Sequence, residues 1–202
     1  MSKYLALAAC LAALAAAPRA AAQAYGQNPD WPCAQRLIAT LEPGAYWNGP
    51  VPQHTAWRDN DALFALVPGI VNRDTPDADA LAKLNAYVAG IPATQRASAL
   101  PALFSAIVDQ TNDDRSVLIA RIEQLGHRQR EMGDLIARLS TKVDATPDSN
   151  PAKADLIGTR DFDVRAFQET QHTMRYACEA PANLERRIGV FARILQAGLQ
   201  RK

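Results

Sequence analysis

The strongest pattern in the chain lies in its middle, where Leu118, Ile122, Leu125, Gln129, Met132, Ile136, Leu139 and Val143 recur at steps of 4, 3, 4, 3, 4, 3 and 4. This is a heptad seam with one polar member. Gly126 and Gly133 each cost about 1 kcal/mol relative to alanine inside a helix, but a loop between them would reset the phase, and the phase is unbroken. The spacing therefore predicts one helix from about Asp113 to Ala145, roughly 50 Å long at about 1.5 Å per residue. Thr146-Pro147-Asp148-Ser149-Asn150-Pro151 reads as the turn that follows.

Beyond that turn the pattern resumes. Val164, Phe167, Gln171, Met174 and Cys178 step by 3, 4, 3 and 4, which places Cys178 on an inward face. Pro181 is expected to stop this helix and open a last one, with Leu184, Ile188, Phe191, Leu195 and Leu199 as its stripe. If the two seams are antiparallel neighbours, the amides of Gln129 and Gln171 are expected to meet. Upstream, Trp57, Leu63, Leu66 and Val67 predict a helix ending near Pro68-Gly69. Thr75 is expected to cap a second helix whose first turn holds Pro76, Asp77 and Asp79, with Leu81, Leu84, Val88 and Ile91 as its buried stripe. Pro92 should end it, and Pro101 should open or kink a third segment carrying Leu103, Phe104, Ile107 and Val108. No stretch alternates strictly beside hairpin turn signals, so no sheet is expected. The predicted class is all-α: an antiparallel helical bundle of three long helices with a long central member and shorter helices packed on it.

Residues 25–54 break the pattern. Asn28-Pro29-Asp30-Trp31-Pro32-Cys33 and Pro43-Gly44-Ala45-Tyr46-Trp47-Asn48-Gly49-Pro50-Val51-Pro52 are rich in turn-formers. Proline removes a backbone donor and disfavours helix in the residue before it. The segment therefore reads as an extended arm, interrupted at most by a short helix over Ala34 to Leu41. The division expected is 1–24 leader, 25–54 arm and 55–202 a single helical domain.

The leader reading rests on Lys3, on the apolar run from Tyr4 to Ala17, and on the small residues at Ala22-Gln23-Ala24. A lipobox ending at Cys10 would leave only Tyr4 to Ala9 as the apolar core, so a cleaved secretory leader and a periplasmic product are expected instead. Cleavage leaves Cys33 and Cys178, an even pair in a compartment where disulfides persist, and these are expected to bond. No later stretch reaches the ~20 apolar residues of a membrane span. Loss of Lys3 and Arg19 from 22 basic side chains, against 21 acidic ones, brings the formal charge to about −1. Arg128, Arg130 and Arg138 are interleaved with Glu131 and Asp134, so no concentrated basic face for nucleic acid is expected.

Little in the chain carries chemistry. Glu169-Thr170-Gln171-His172 is a single Glu-x-x-His unit, whereas di-iron bundles need two with further glutamates. Glu123 and His127 would make only an irregular second set. His127, Glu169 and His172 are the candidate ligands of a metal- or small-ligand-binding alternative, and a soft-metal set of His172, Met174 and Cys178 is opposed by helix geometry. Gly-x-Ser-x-Gly, His-Glu-x-x-His and a phosphate-cradling glycine loop are all absent, which leaves a cryptic hydrolase as a third reading. No cofactor is expected. Trp31-Pro32-Cys33-Ala34-Gln35-Arg36, followed by Trp47-Asn48-Gly49-Pro50, resembles the start of exported proteobacterial proteins that carry a Trp-Pro-Cys-x-Gln-Arg segment. That likeness implies export and brings no activity with it. The leading expectation is a non-enzymatic interaction or scaffold protein whose partner is another periplasmic or membrane-associated protein. Trp31, Trp47 and Pro50 of the arm are the expected contact residues, because tryptophan and rigid backbone suit an interface.

Overall fold

The computed structural model describes residues 28–49 and 56–200. The leader, Cys10, Pro50 and His54 lie outside the described residues. Among the described residues, four α-helices follow the arm: α1 Asp61–Val71, α2 Asp77–Gly90, α3 Ala93–Ala145 and α4 Ala152–Gln200. Two 3-10 turns, Pro43–Ala45 and Trp57–Asp59, interrupt the segment before them. Among the described residues there is no strand, and the class is all-α with a long central helix. No helix there is long and apolar enough to cross a membrane.

Local chemistry sets the helix ends. The Asn60 side chain accepts from the Leu63 amide at 3.1 Å and so caps α1. Pro76 and Pro92 stand just ahead of α2 and α3, where a missing N–H costs nothing. Thr75 therefore lies one residue outside the cap position expected for it. At the far turn, Asn150 accepts from the Ala152 amide at 3.0 Å and starts α4.

The major departure from expectation concerns proline. Pro68, Pro101 and Pro181 lie inside α1, α3 and α4 rather than at their ends. The predicted third segment and central helix are one helix of 53 residues, and the two predicted final helices are one of 49 residues. These are about 80 and 74 Å long at ~1.5 Å per residue. An interior proline removes a hydrogen bond and clashes with the preceding turn, costing about 3 kcal/mol. Pro101 and Pro181 are themselves buried, so packing around their rings offsets that cost. The short helix allowed for Ala34 to Leu41 does not form; that stretch is irregular.

The core occupies one end of the α3–α4 hairpin. Leu100, Leu103, Phe104 and Ile107 of α3 meet Ile188, Phe191 and Leu195 of α4, and α1, α2, the arm's Leu41 and Trp47, and Trp57 of the second 3-10 turn close over them. Gly198 lets Val88 and Leu100 come close: a Cβ built on it would stand 2.9 and 3.0 Å from their methyl groups. Arg187 ties the short helices to this end, donating to the carbonyls of Ile70 at 2.9 Å and Asn72 at 3.0 Å. In this way it satisfies groups that α1 leaves open at its C-terminus.

Away from this head, the hairpin continues alone. Beyond Ile122, α3 buries only Gly126 and Val143, and α4 buries nothing before Met174. The heptad residues Leu125, Gln129, Met132, Ile136 and Leu139 face the partner helix but remain half-buried, because two helices cover only one side of a seam.

Candidate functional site

The arm runs along the base of the hairpin and is fixed at intervals. Cys33 is bonded to Cys178, with Cα atoms 5.6 Å apart and 145 positions of sequence between them. This is the pairing that the inward phase of Cys178 predicts. Nearby, Gln35 donates its side-chain amide to the Cys178 carbonyl. Further along, the Asn112 side chain pairs with both backbone groups of Leu41, accepting from its N–H at 2.9 Å and donating to its C=O at 3.0 Å. The Gln196 side chain donates to the Tyr46 carbonyl at 3.3 Å. An irregular segment has no ladder or helix to satisfy its backbone, so side chains of α3 and α4 supply the partners.

The start of the described arm sits on Gly126. A Cβ at that position would lie 2.1 Å from the Asp30 carbonyl oxygen, so only glycine lets the two backbones meet. Arg130 donates to the Asp30 carboxylate and to the Pro29 carbonyl, while His127 Nδ1 stands 3.3 Å from Asp30 Oδ1. The hydrogen bond from Arg130 holds the Asp30 carboxyl below its ordinary value, against burial and with help from the charges of Arg130 and His127. Asn28 donates to Glu123 at 2.6 Å.

A second polar group lies deeper. Arg115 is 3% exposed. Its Nη2 donates to the Ile38 carbonyl at 3.0 Å. Its Nε and Nη1 are buried without a hydrogen-bond partner. Burial pushes this guanidinium below its ordinary pKa, and the nearby Glu185 carboxylate counteracts that. The Tyr46 hydroxyl donates to Glu185 at 2.8 Å. Burial and that acceptor carboxylate together push the phenol up to about 12.

The tryptophans divide. Trp47 is 5% exposed and stacks on Phe104, ring centroids 4.7 Å apart, which makes it a core residue instead of the contact residue expected. Trp57 is also buried and donates to Asp109 at 2.8 Å. Trp31 keeps partial exposure and donates its indole N–H to the Gln35 carbonyl at 2.8 Å.

The candidate ligands of the metal alternative are not brought together. His127 is held between Asp30 and Glu131, His172 packs edge-on against Tyr176 at 5.2 Å, and Glu169 is exposed. Among the described residues no three His, Cys, Asp or Glu side chains gather closely enough to hold a metal ion. Gln129 and Gln171 do not meet either. Gln129 donates to the Phe167 carbonyl at 3.1 Å, and Gln171 is exposed.

Asn112, Arg115 and Arg187 were not singled out by sequence patterns, although one signal existed. Ile107, Thr111 and Arg115 step by four along the buried face of α3, so polar residues continue an apolar phase and need buried partners. Compared with known proteins, the chain matches no family model, no curated protein and no solved structure.

Proposed function

We propose that this chain is an exported, non-enzymatic interaction protein of the periplasm, and that the distal half of the α3–α4 hairpin carries its contact surface. The observation that carries this reading is the half-covered seam. Roughly 30 Å of paired helix, at about 1.5 Å per residue, projects beyond Gly126 with little buried. Off the seam register, on the flank and outer face of the same helices, Leu135 and Phe162 are also open, at 40% and 63% exposure. Further helix-like surface laid on such a seam would bury what two helices leave open. The disulfide supports export, since such bonds persist outside the reducing cytosol. With Trp47 in the core, the arm acts chiefly as a brace.

The test is photo-crosslinking in living cells, with a photoreactive residue placed at 135 or 162 on the hairpin, or at Phe64 on the head, which is 57% exposed. Discrete adducts with another envelope protein are expected from the hairpin positions and not from Phe64. Adducts confined to Phe64, or absent from all three positions, would overturn the reading.

A further inference from the structure

The two flanks of the α3 seam differ. Arg121, Arg128, Leu135 and Lys142 recur every seven residues, each one position before a seam residue, and Val117, Gln124, Glu131 and Arg138 follow the same flank one step further out. All eight are exposed. The arm lies on the other flank, where Asp30 meets Gly126 and where Asn28 and Asp30 bond Glu123 and Arg130. Because α4 runs antiparallel to α3, the residues one position before its own seam fall on the side away from the arm: Leu156, Asp163, Thr170 and Ala177, with Thr159, Ala166 and Thr173 beside them. Between the two rows, Met132, Ile136, Leu139 and Phe167 form a half-buried apolar floor. The result is a shallow valley about 38 Å long, from Val117 to Lys142 at ~1.5 Å per residue.

In sequence order the cations of α3 alternate with acids, but the helix sorts them. Asp134 falls on the outer face and Arg130 on the arm side, so neither belongs to the valley. Arg121, Arg128, Arg138 and Lys142 against Glu131 and Asp163 leave this side with two net positive charges. Among the described residues no carboxylate pairs with any of these four cations. Residues 1–27, 50–55 and 201–202, outside the described ones, contain no aspartate or glutamate, so they do not supply the complement. A second copy presenting the same face would set cation against cation.

We infer that this valley receives an amphipathic helix of a partner protein, its apolar stripe on the floor of Met132, Ile136 and Leu139 and an acidic edge against Arg121, Arg128, Arg138 and Lys142. The unlike walls select this occupant. Threonine and alanine on α4 let a third backbone come close, while the long cations of α3 reach the edge of the incoming helix, where charges beside a helical seam set partner and orientation. A flat anionic membrane fits less well. The apolar floor is recessed between the helices, and among the described residues Val117 and Leu135 are the only large apolar side chains exposed on this side, at 51% and 40%. This inference rests on the hairpin reading proposed above and adds to it the face used and the chemistry of the partner.

The probe is a designed peptide of about 28 residues, about 42 Å as a helix, with leucine at its seam positions and glutamate beside them; its comparator carries lysine in place of glutamate. Binding to the intact oxidised chain is read by fluorescence anisotropy, and the face is read by a photoreactive residue at 124 on the basic flank or at 165 on the arm-side flank of α4. The glutamate peptide should bind about 10-fold or more tightly than the lysine peptide and give adducts from 124. Arg128→Glu combined with Arg138→Glu, both at exposed positions, should remove that preference without moving the thermal melt, whereas Arg165→Glu should leave it intact. Adducts from 165 in place of 124, or equal affinity for the two peptides, would overturn this face and leave the hairpin surface standing. No binding of either peptide at about 100 µM, or tighter binding of phosphatidylglycerol vesicles than of the glutamate peptide through the same two arginines, would overturn the inference, while the hairpin reading itself is decided by the cellular adducts at 135 and 162.

Discussion

Gly126 and Gly133 occupy the same heptad position one repeat apart, and intrinsic propensity charges them alike, about 1 kcal/mol against alanine. Their surroundings differ. A Cβ at 126 would collide with the Asp30 carbonyl at 2.1 Å, whereas one at 133 would rest 3.7 Å from the Phe167 ring, an ordinary contact. Gly133→Ala should therefore raise stability by about 0.5–1 kcal/mol. Gly126→Ala should lower it, because displacing a braced backbone costs about 1–3 kcal/mol and outweighs the gain in propensity. Thermal melts of the two variants decide the matter. Equal stabilisation by both would mean that the arm does not rest on α3 at Gly126.

Proline carries a similar lesson for helices. Periodicity made the seam, the far turn and the inward phase of Cys178 readable, since each depends on spacing along one chain. The continuity of α3 and α4 was not readable, because local rules price an interior proline without knowing what packs around it. The arm's anchors were hidden for a related reason: Asn112 and Arg115 serve the Leu41 and Ile38 backbone, more than 70 positions away in sequence. Comparing the prolines tests whether packing is what holds these helices through. Pro68 is exposed in α1, while Pro101 is buried in α3. Pro68→Ala should thus stabilise by about 1–3 kcal/mol, approaching the full helix-interior difference. Pro101→Ala restores the same backbone hydrogen bond but vacates packed volume, so its gain should be smaller or reversed. Chemical denaturation that finds the two gains equal would remove packing as the explanation.

The head and the distal hairpin are held by different physics, and the disulfide separates them experimentally. The head buries Phe104, Ile107, Ile188 and Leu195 completely, so its amides should exchange with solvent only when the whole fold opens. The distal hairpin is secured by a half-covered seam and should open from its tip at much lower free energy. Bonding Cys33 to Cys178 across 145 positions restricts the unfolded chain, which in the chain-entropy picture stabilises the fold by about 5 kcal/mol at most. Local fraying at the tip releases neither cysteine and gains nothing from that restriction. Reduction should therefore accelerate exchange at head amides, such as those of residues 103–108 and 188–195, by several powers of ten at the upper limit. Amides of residues 135–145 and 152–165 should change little. Hydrogen exchange read by mass spectrometry on the oxidised and reduced chain gives both answers at once. Parallel acceleration in the two regions would show that hairpin and head unfold as one cooperative unit, and the hairpin would then be a rigid extension of the head.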